Sequence, residues 1–288
     1  MNGLVVVDKP AGMTSHDVVD LVRRRFGERR VGHGGTLDPD ATGVLLVGVG
    51  AVTRLLRFVT ALPKRYTGEV VLGVETSTLD ASGEVVARHD MAGVTIDDVR
   101  RVIASELTGE IQQVPPMVSA VRVGGRRLHE LARAGVEVER QPRPVSVFHF
   151  DVAPTTDRLV FALDVTCSSG TYVRSLAADV GRLLGGGAHL RDLRRRAVGT
   201  FTEHEAAGVA DTDLLPPAAA VRDLATVAVS DEVAALVAHG RVLPAFSGEG
   251  PWAVLDAGGE LLAVYEPFRG AAKPAVVLSS ELTPPASP

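Results

Sequence analysis

A single cysteine, Cys167, stands in a chain of 288 residues. It cannot close an internal disulfide, and it cannot build a cysteine-rich metal site. No stretch of eighteen consecutive apolar residues occurs, which excludes a hydropathic membrane-spanning helix. The first residues, Met1-Asn2-Gly3-Leu4-Val5-Val6-Val7-Asp8-Lys9-Pro10, lack a basic segment and a small-residue cleavage site, so no secretory signal is expected. These absences lead to the expectation of a cytoplasmic, metal-free protein. There is no G-x-x-x-x-G-K-S/T loop, no convincing dinucleotide fingerprint and no G-x-S-x-G elbow. Asp38-Pro39-Asp40 superficially resembles a phosphatase aspartate pair, but a Gly-rich loop precedes it where that chemistry needs a hydrophobic strand. His33, Asp38 and Asp40 lack a second ligand group elsewhere to complete a metal site. No internal repeat is visible.

Aromatics are scarce, with one tryptophan and three tyrosines, so the positions of the tyrosines are informative. Positive charge is slightly outnumbered overall: 30 Lys and Arg stand against 35 Asp and Glu, for a net charge of −5. Its distribution is uneven. Residues 1–66 carry +4, residues 67–202 carry −1 and residues 203–288 carry −8. The acidity lies in the C-terminal third. The first two-thirds hold four arginine clusters: Arg23 to Arg25, Arg29-Arg30, Arg126-Arg127, and Arg191 with Arg194 to Arg196. Any one cluster reads as a solvated face. The four together fit a polyanionic partner, because the planar guanidinium suits phosphates.

What is present is a Gly-rich stretch, Gly32 to Gly43, that runs into the apolar Val44-Leu45-Leu46-Val47. The glycines and Pro39 predict a tight loop anchored on a buried strand. It carries Asp38, whose backbone Pro39 restricts to extended conformations. On local chemistry, Asp38 is either a turn carboxylate that caps backbone N–H groups or a catalytic acid.

Around this loop the pattern predicts a strand at Leu4 to Val7, a helix from Thr14 or Ser15 to Gly27, a helix over Thr53 to Leu62 and a strand entered through Lys64-Arg65-Tyr66. A helix begins at Thr95, and another covers Arg126 to Ala134. Strands Pro144 to Ala153 and Leu159 to Thr166 form a hairpin. Tyr66 beside two cations reads either as an edge-strand aromatic or as a stacking platform for a base. Cys167 to Arg174 places a loop before a helix. Arg174 near a helix start opposes the helix dipole, which points to a carboxylate partner. Residues 203–225 read as an acidic linker, and short strands from Thr226 onward as a small β-rich domain.

Five ordered segments carry a family resemblance. Gly32-His33-Gly34-Gly35-Thr36-Leu37-Asp38-Pro39-Asp40-Ala41-Thr42-Gly43-Val44-Leu45 resembles the catalytic motif of the TruB family of tRNA pseudouridine synthases. Asp8-Lys9-Pro10-Ala11-Gly12-Met13-Thr14-Ser15 resembles its N-terminal signature. Lys64-Arg65-Tyr66 is similar to its K-x-Y motif, Ser169-Gly170-Thr171-Tyr172-Val173-Arg174 to its G-T-Y-x-R motif, and Gly187-Ala188-His189-Leu190 with Leu193-Arg194-Arg195 to its last catalytic-domain segment. One departure stands out: Thr76-Ser77-Thr78-Leu79-Asp80 has Ser77 where the family usually has Asp, while Asp80 is retained.

The resemblance implies an α+β fold with a mixed, mainly antiparallel sheet and flanking helices, plus a small PUA-like C-terminal domain of the bacterial type. It implies a catalytic domain over 1–202, a linker over 203–225 and a PUA-like domain over 226–284. The implied activity converts uridine 55 in the T-arm of tRNA to pseudouridine by base flipping, with no metal, no cofactor and no membrane. The partner is the tRNA T-arm stem-loop, and a monomer is expected. By resemblance Asp38 is the nucleophile, Tyr66 stacks on the flipped base and abstracts its proton, and Arg174 keeps Asp38 ionised. Tyr172 and Leu193 line the base pocket, and His33 contacts the T-loop. Two other readings remain: a guide-RNA-dependent relative, which the short acidic C-terminal region disfavours, and an RNA-folding module without chemistry, which the intact Asp38, Tyr66 and Arg174 set disfavours.

Overall fold

A computed structural model describes residues 1–119, 122, 123, 125–128, 136 and 138–278. In chain order the elements are β1 (Gly3–Lys9), α1 (Ser15–Phe26), β2 (Val31–His33), β3 (Thr42–Val49), α2 (Leu56–Ala61), β4 (Lys64–Leu72), β5 (Val74–Thr76), β6 (Val85–Arg88), α3 (Ile96–Glu106) and β7 (Gly109–Gln113). There follow β8 (Arg122–Val123), β9 (Arg126–Arg127), β10 (Arg143–Pro154), β11 (Val160–Cys167), α4 (Val173–Leu183), β12 (Ala188–Val198) and β13 (Phe201–Thr202). The last are β14 (Ala225–Ala228), α5 (Asp231–Ala238), β15 (Leu243–Pro244), β16 (Trp252–Leu255), β17 (Leu261–Phe268) and β18 (Ala271–Val277). The sheets are mainly antiparallel with flanking helices, as expected. Among the described residues no helix is long and apolar enough to cross a membrane. The chain divides into two compact units: residues 1–39, 43–61 and 199 onward, and residues 40–42 with 62–198.

In the first unit β1 pairs antiparallel with β3, from Gly3 opposite Val49 to Lys9 opposite Gly43, and β2 also pairs with β3. The runs Leu4 to Val7 and Val44 to Val47 are buried throughout, as continuous apolar strands demand. α1 begins in a capping box between Thr14 and Asp17 and ends at Gly27 in the left-handed conformation. Its Val18, Val19 and Val22 are buried. Residues 207–215, read from sequence as linker, run along β1: Leu4 and Leu215 exchange N–H···O bonds of 3.0 and 2.8 Å, and Thr212 Oγ1 donates to Val6 O at 3.1 Å. The same unit holds a five-stranded sheet in the order β14-β16-β17-β18-β15. Its core packs Val237, Val254, Trp252 and Tyr265, and the Phe246 ring meets both aromatics edge-on.

In the second unit the strands run β12-β4-β11-β10-β7, each pair antiparallel. α4 buries Val173, Leu176, Ala177 and Val180, the apolar face its spacing predicts. The helix expected over Arg126 to Ala134 begins differently, since Arg126–Arg127 form the strand β9, and residues 129–135 lie outside the described residues.

Candidate active site

The first unit presents Asp38 on the loop between β2 and β3, half-buried beside the buried Leu37. The loop is pinned on both sides of Asp38 by residues 9–15, which lead into α1 and include its first residue. Ser15 Oγ donates to Leu37 O at 3.0 Å and accepts from Leu37 N–H at 2.9 Å. On the other side Pro39 O accepts from Gly12 N–H at 3.0 Å and from Lys9 Nζ at 2.8 Å. The Lys9 ammonium is 0% exposed and also donates to the carbonyls of Pro10 at 2.9 Å and Met13 at 2.6 Å. A buried cation needs such a cage of acceptors. The loop's own sequence makes this path possible: Gly35 has φ 130, and a Cβ on Gly34 would lie 2.7 Å from Val59 Cγ1. One segment, residues 9–15, thus fixes the backbone on either side of one carboxylate.

His33 ends β2. Its Nδ1 accepts the Gly35 N–H at 3.3 Å, which makes Nε2 the protonated nitrogen of the neutral ring. The His16 ring meets it edge-on, with centroids 5.3 Å apart.

The second unit holds Tyr66, Tyr172, Arg174 and Leu193. Tyr66 lies inside β4, opposite Val165 of β11 and Arg195 of β12, and is 9% exposed. It is therefore a central-strand residue, and the edge-strand reading does not hold. Leu193 lies where β12 bulges between Arg191 and Arg194, with Asp192 at φ 54. The bulge faces Gly68 of β4, where a Cβ would stand 3.1 Å from Arg191 O and 3.4 Å from Leu193 Cα.

Arg174 lies in the first turn of α4 and is 5% exposed. Its Nη1 donates to Thr78 O at 2.9 Å and lies 3.4 Å from Asp80 Oδ2, and its Nη2 donates to Val118 O at 2.9 Å. Asp80 is held in turn: its Oδ1 accepts from Thr78 Oγ1 at 2.6 Å, Ser82 Oγ at 2.6 Å and Ser82 N–H at 3.1 Å. The loop is tied to β12 by Leu190 N–H to Leu79 O at 3.0 Å and by Ala81 N–H to Leu190 O at 2.9 Å. Ser77 contributes by closing this loop, with its Oγ accepting the Glu84 N–H at 3.1 Å. Asp80 is a carboxylate partner of Arg174 that sequence reasoning kept in view without assigning it a role. The retained acid in the Thr-x-Asp segment was the signal for it.

Tyr172 is the N-cap of α4, and its main chain is gripped by the Gln113 side chain. Lys64, of the K-x-Y segment, is buried; its Nζ donates to Leu62 O at 2.6 Å. Burial, with Arg195 close by, brings its pKa down to about 8, against a smaller opposing effect of Cys167. Burial likewise pushes the Cys167 thiol up to about 11. Several arginines of the basic clusters are already engaged. Arg191 Nε and Nη2 both reach Glu69 Oε2, at 2.7 and 2.5 Å, Arg23 pairs with Asp20 at 2.6 Å and Arg195 is 1% exposed. Among the described residues no group of three or more His, Cys, Asp or Glu side chains could hold a metal ion.

Comparison with known proteins gives a consistent picture. Residues 23–173 match the model of the TruB family pseudouridylate synthase N-terminal domain. Residues 174–216 match the tRNA pseudouridylate synthase B C-terminal domain, and residues 224–279 the C-terminal domain of tRNA pseudouridine synthase II. The tRNA pseudouridine synthase B of Symbiobacterium thermophilum is 49% identical over 85% of this chain and 84% of its own. That of Arthrobacter sp. is 43% identical over 97% of both chains. Among solved structures, a chain of a Cbf5-Nop10-Gar1 complex superposes with a TM-score of 0.71 at 26% identity, covering 92% of this chain and 78% of that one. A chain of an H/ACA RNP bound to a substrate RNA containing 2'-deoxyuridine gives 0.72 at 24% identity, with 96% and 84% covered, a likeness of fold.

Proposed function

The chain belongs to the TruB family of pseudouridine synthases, and from that premise we propose that it isomerises uridine 55 in the T-arm of tRNA, with Asp38 as nucleophile. Its relatives named tRNA pseudouridine synthase B support tRNA uridine as the substrate. The observation that carries the reading is the clamp on the Asp38 loop, in which Lys9, Gly12 and Ser15 fix the main chain on both sides of one carboxylate. A nucleophile held by backbone anchors loses little entropy on reaching its target.

In this reaction the N1–C1′ bond of the uridine breaks, the uracil turns, and a C5–C1′ bond forms. The C5 proton leaves and N1 takes one up, so nothing is gained or lost overall. Asp38 attacks either ribose C1′ or uracil C6. The uridine is flipped from its stack, and Tyr66 provides a ring for it and takes the C5 proton. Tyr172 and Leu193 line the base pocket, Arg174 is the site's guanidinium, held by Asp80, and His33 contacts the T-loop. We assign residues 1–202 to catalysis, 203–225 to the linker and 226–284 to a PUA-like domain. The protein works without a cofactor and as a monomer.

The test is tritium release from a T-arm stem-loop labelled at uracil C5, with the protein alone. Release from uridine 55 supports the reading. Tight binding without release would replace it with the RNA-folding module.

A further inference from the structure

Gln113 is a polar side chain only 2% exposed, at the end of β7 and opposite Arg143 of β10. Its amide makes two hydrogen bonds to the main chain of a single residue. Nε2 donates to Tyr172 O at 3.1 Å, and Oε1 accepts from Tyr172 N–H at 2.8 Å. A primary amide here does what a neighbouring strand would do, satisfying the donor and the acceptor of one residue together.

The residue it grips is a pivot. Tyr172 is the N-cap of α4, with φ −101 and ψ 107, and its side chain makes no capping bond. The N-cap backbone sets the direction in which the first helical turn departs. That turn carries Arg174 two residues on. The segment that follows Gln113 holds the same turn twice more: Val114 O accepts from Ser175 Oγ at 3.3 Å, and Val118 O from Arg174 Nη2 at 2.9 Å.

We propose that Gln113 is a positioning residue for the isomerisation, its amide fixing the Tyr172 backbone so that the Tyr172 ring and the Arg174 guanidinium are in place before the uridine arrives. The proposal rests on the assignment of Tyr172 and Arg174 to the site. Groups held within a fraction of an ångström by surrounding hydrogen bonds are those on which rate depends most steeply.

Two near-isosteric variants test it in the full-length protein. Gln113→Glu keeps the acceptor for Tyr172 N–H and turns an oxygen toward Tyr172 O. Gln113→Met removes both bonds. The measurement is the single-turnover rate constant on tRNA labelled at uracil C5, at saturating excess enzyme, where the constant does not depend on the folded fraction. Affinity for tRNA is measured alongside. A fall of about tenfold or more in both variants, with affinity within about threefold of wild type, is expected. A rate within about twofold of wild type, whatever the affinity or melting temperature, overturns the proposal. Should Gln113→Met not fold, Gln113→Glu decides. Arg174→Lys and Tyr172→Ala run in parallel. If these also turn over at the wild-type rate, the site assignment itself fails. If they are slow while the Gln113 variants are fast, the proposal for Gln113 alone fails.

Discussion

Lys9 holds the main chain beside Asp38, and Asp80 faces the Arg174 guanidinium, so both bear on the proposed chemistry without themselves reacting in it. The Lys9 ammonium is fully buried and meets three carbonyls. Lys9→Met roughly keeps the length of the stem but removes the donor from three carbonyls, at about 1 kcal/mol net for each hydrogen bond lost. The expected loss is about 2–4 kcal/mol of unfolding free energy in urea, with slower turnover because one of the two anchors on Pro39 is gone, the Gly12 N–H remaining. Asp80→Asn is the opposite case. An amide oxygen can still accept from Thr78 and Ser82, so the loop holds, but the charge facing Arg174 disappears. The melting temperature is expected to stay near wild type while the single-turnover rate falls about tenfold or more, since a guanidinium without its carboxylate loses its orientation. Unchanged turnover in Asp80→Asn would show that this ion pair only closes the loop.

Among the elements, the β4 and β12 pair shapes the site most directly. Gly68 leaves room for the bulge at Leu193, and a Cβ there would press on Arg191 O and the Leu193 Cα. Gly68→Val is expected to cost about 1–3 kcal/mol by overpacking and to lower activity together with stability, measured by denaturation and tritium release. Most elements were legible because their local signals agree with their burial. The Thr14 and Thr95 capping boxes mark helix starts, Gly27 marks an end, and the apolar runs at Leu4 and Val44 mark buried strands. β12 resisted reading, since Arg191 to Arg196 shows no period-two alternation and the bulge changes its register. Residues 203–225 read as linker because the composition over that region is acidic and Ala-rich, and nothing in it marks the ordered run at 207–215. What fixes that run is backbone pairing with β1, which composition does not record. The motif around Asp38 is legible in the sequence, whereas the clamp on its loop is not: only the fold brings Lys9, Gly12 and Ser15 to that loop. Gln113 carries no local signal at all, because its partner is a main chain 59 residues away.

For the molecule as a whole, Lys64 ties stability to pH. An unfolded lysine holds its proton to about 10.5, whereas the folded chain releases it near 8. Between these values the unfolded state binds more protons, so the Lys64 contribution to stability rises with pH; below 8 the folded state bears the full cost of a buried charge. Cys167 works the other way between about 9 and 11, where the folded state keeps a proton that the unfolded chain loses. The clean window is therefore pH 7.5 to 9. There the urea stability of wild type is expected to rise relative to that of Lys64→Met, and a constant difference across the window would contradict the buried charge. The charge plan also bears on tRNA: with Arg191, Arg23 and Arg65 already paired to acids, the salt dependence of binding is expected to be shallower than the arginine count suggests. The most direct test of the whole remains one substitution at the clamped loop. Asp38→Asn, near-isosteric and uncharged, is compared with wild type for tritium release from tRNA labelled at uracil C5, under single-turnover conditions with saturating enzyme. If Asp38 is the nucleophile, binding persists and release vanishes; release at a rate near wild type would mean that Asp38 is a turn carboxylate and the chemistry lies elsewhere.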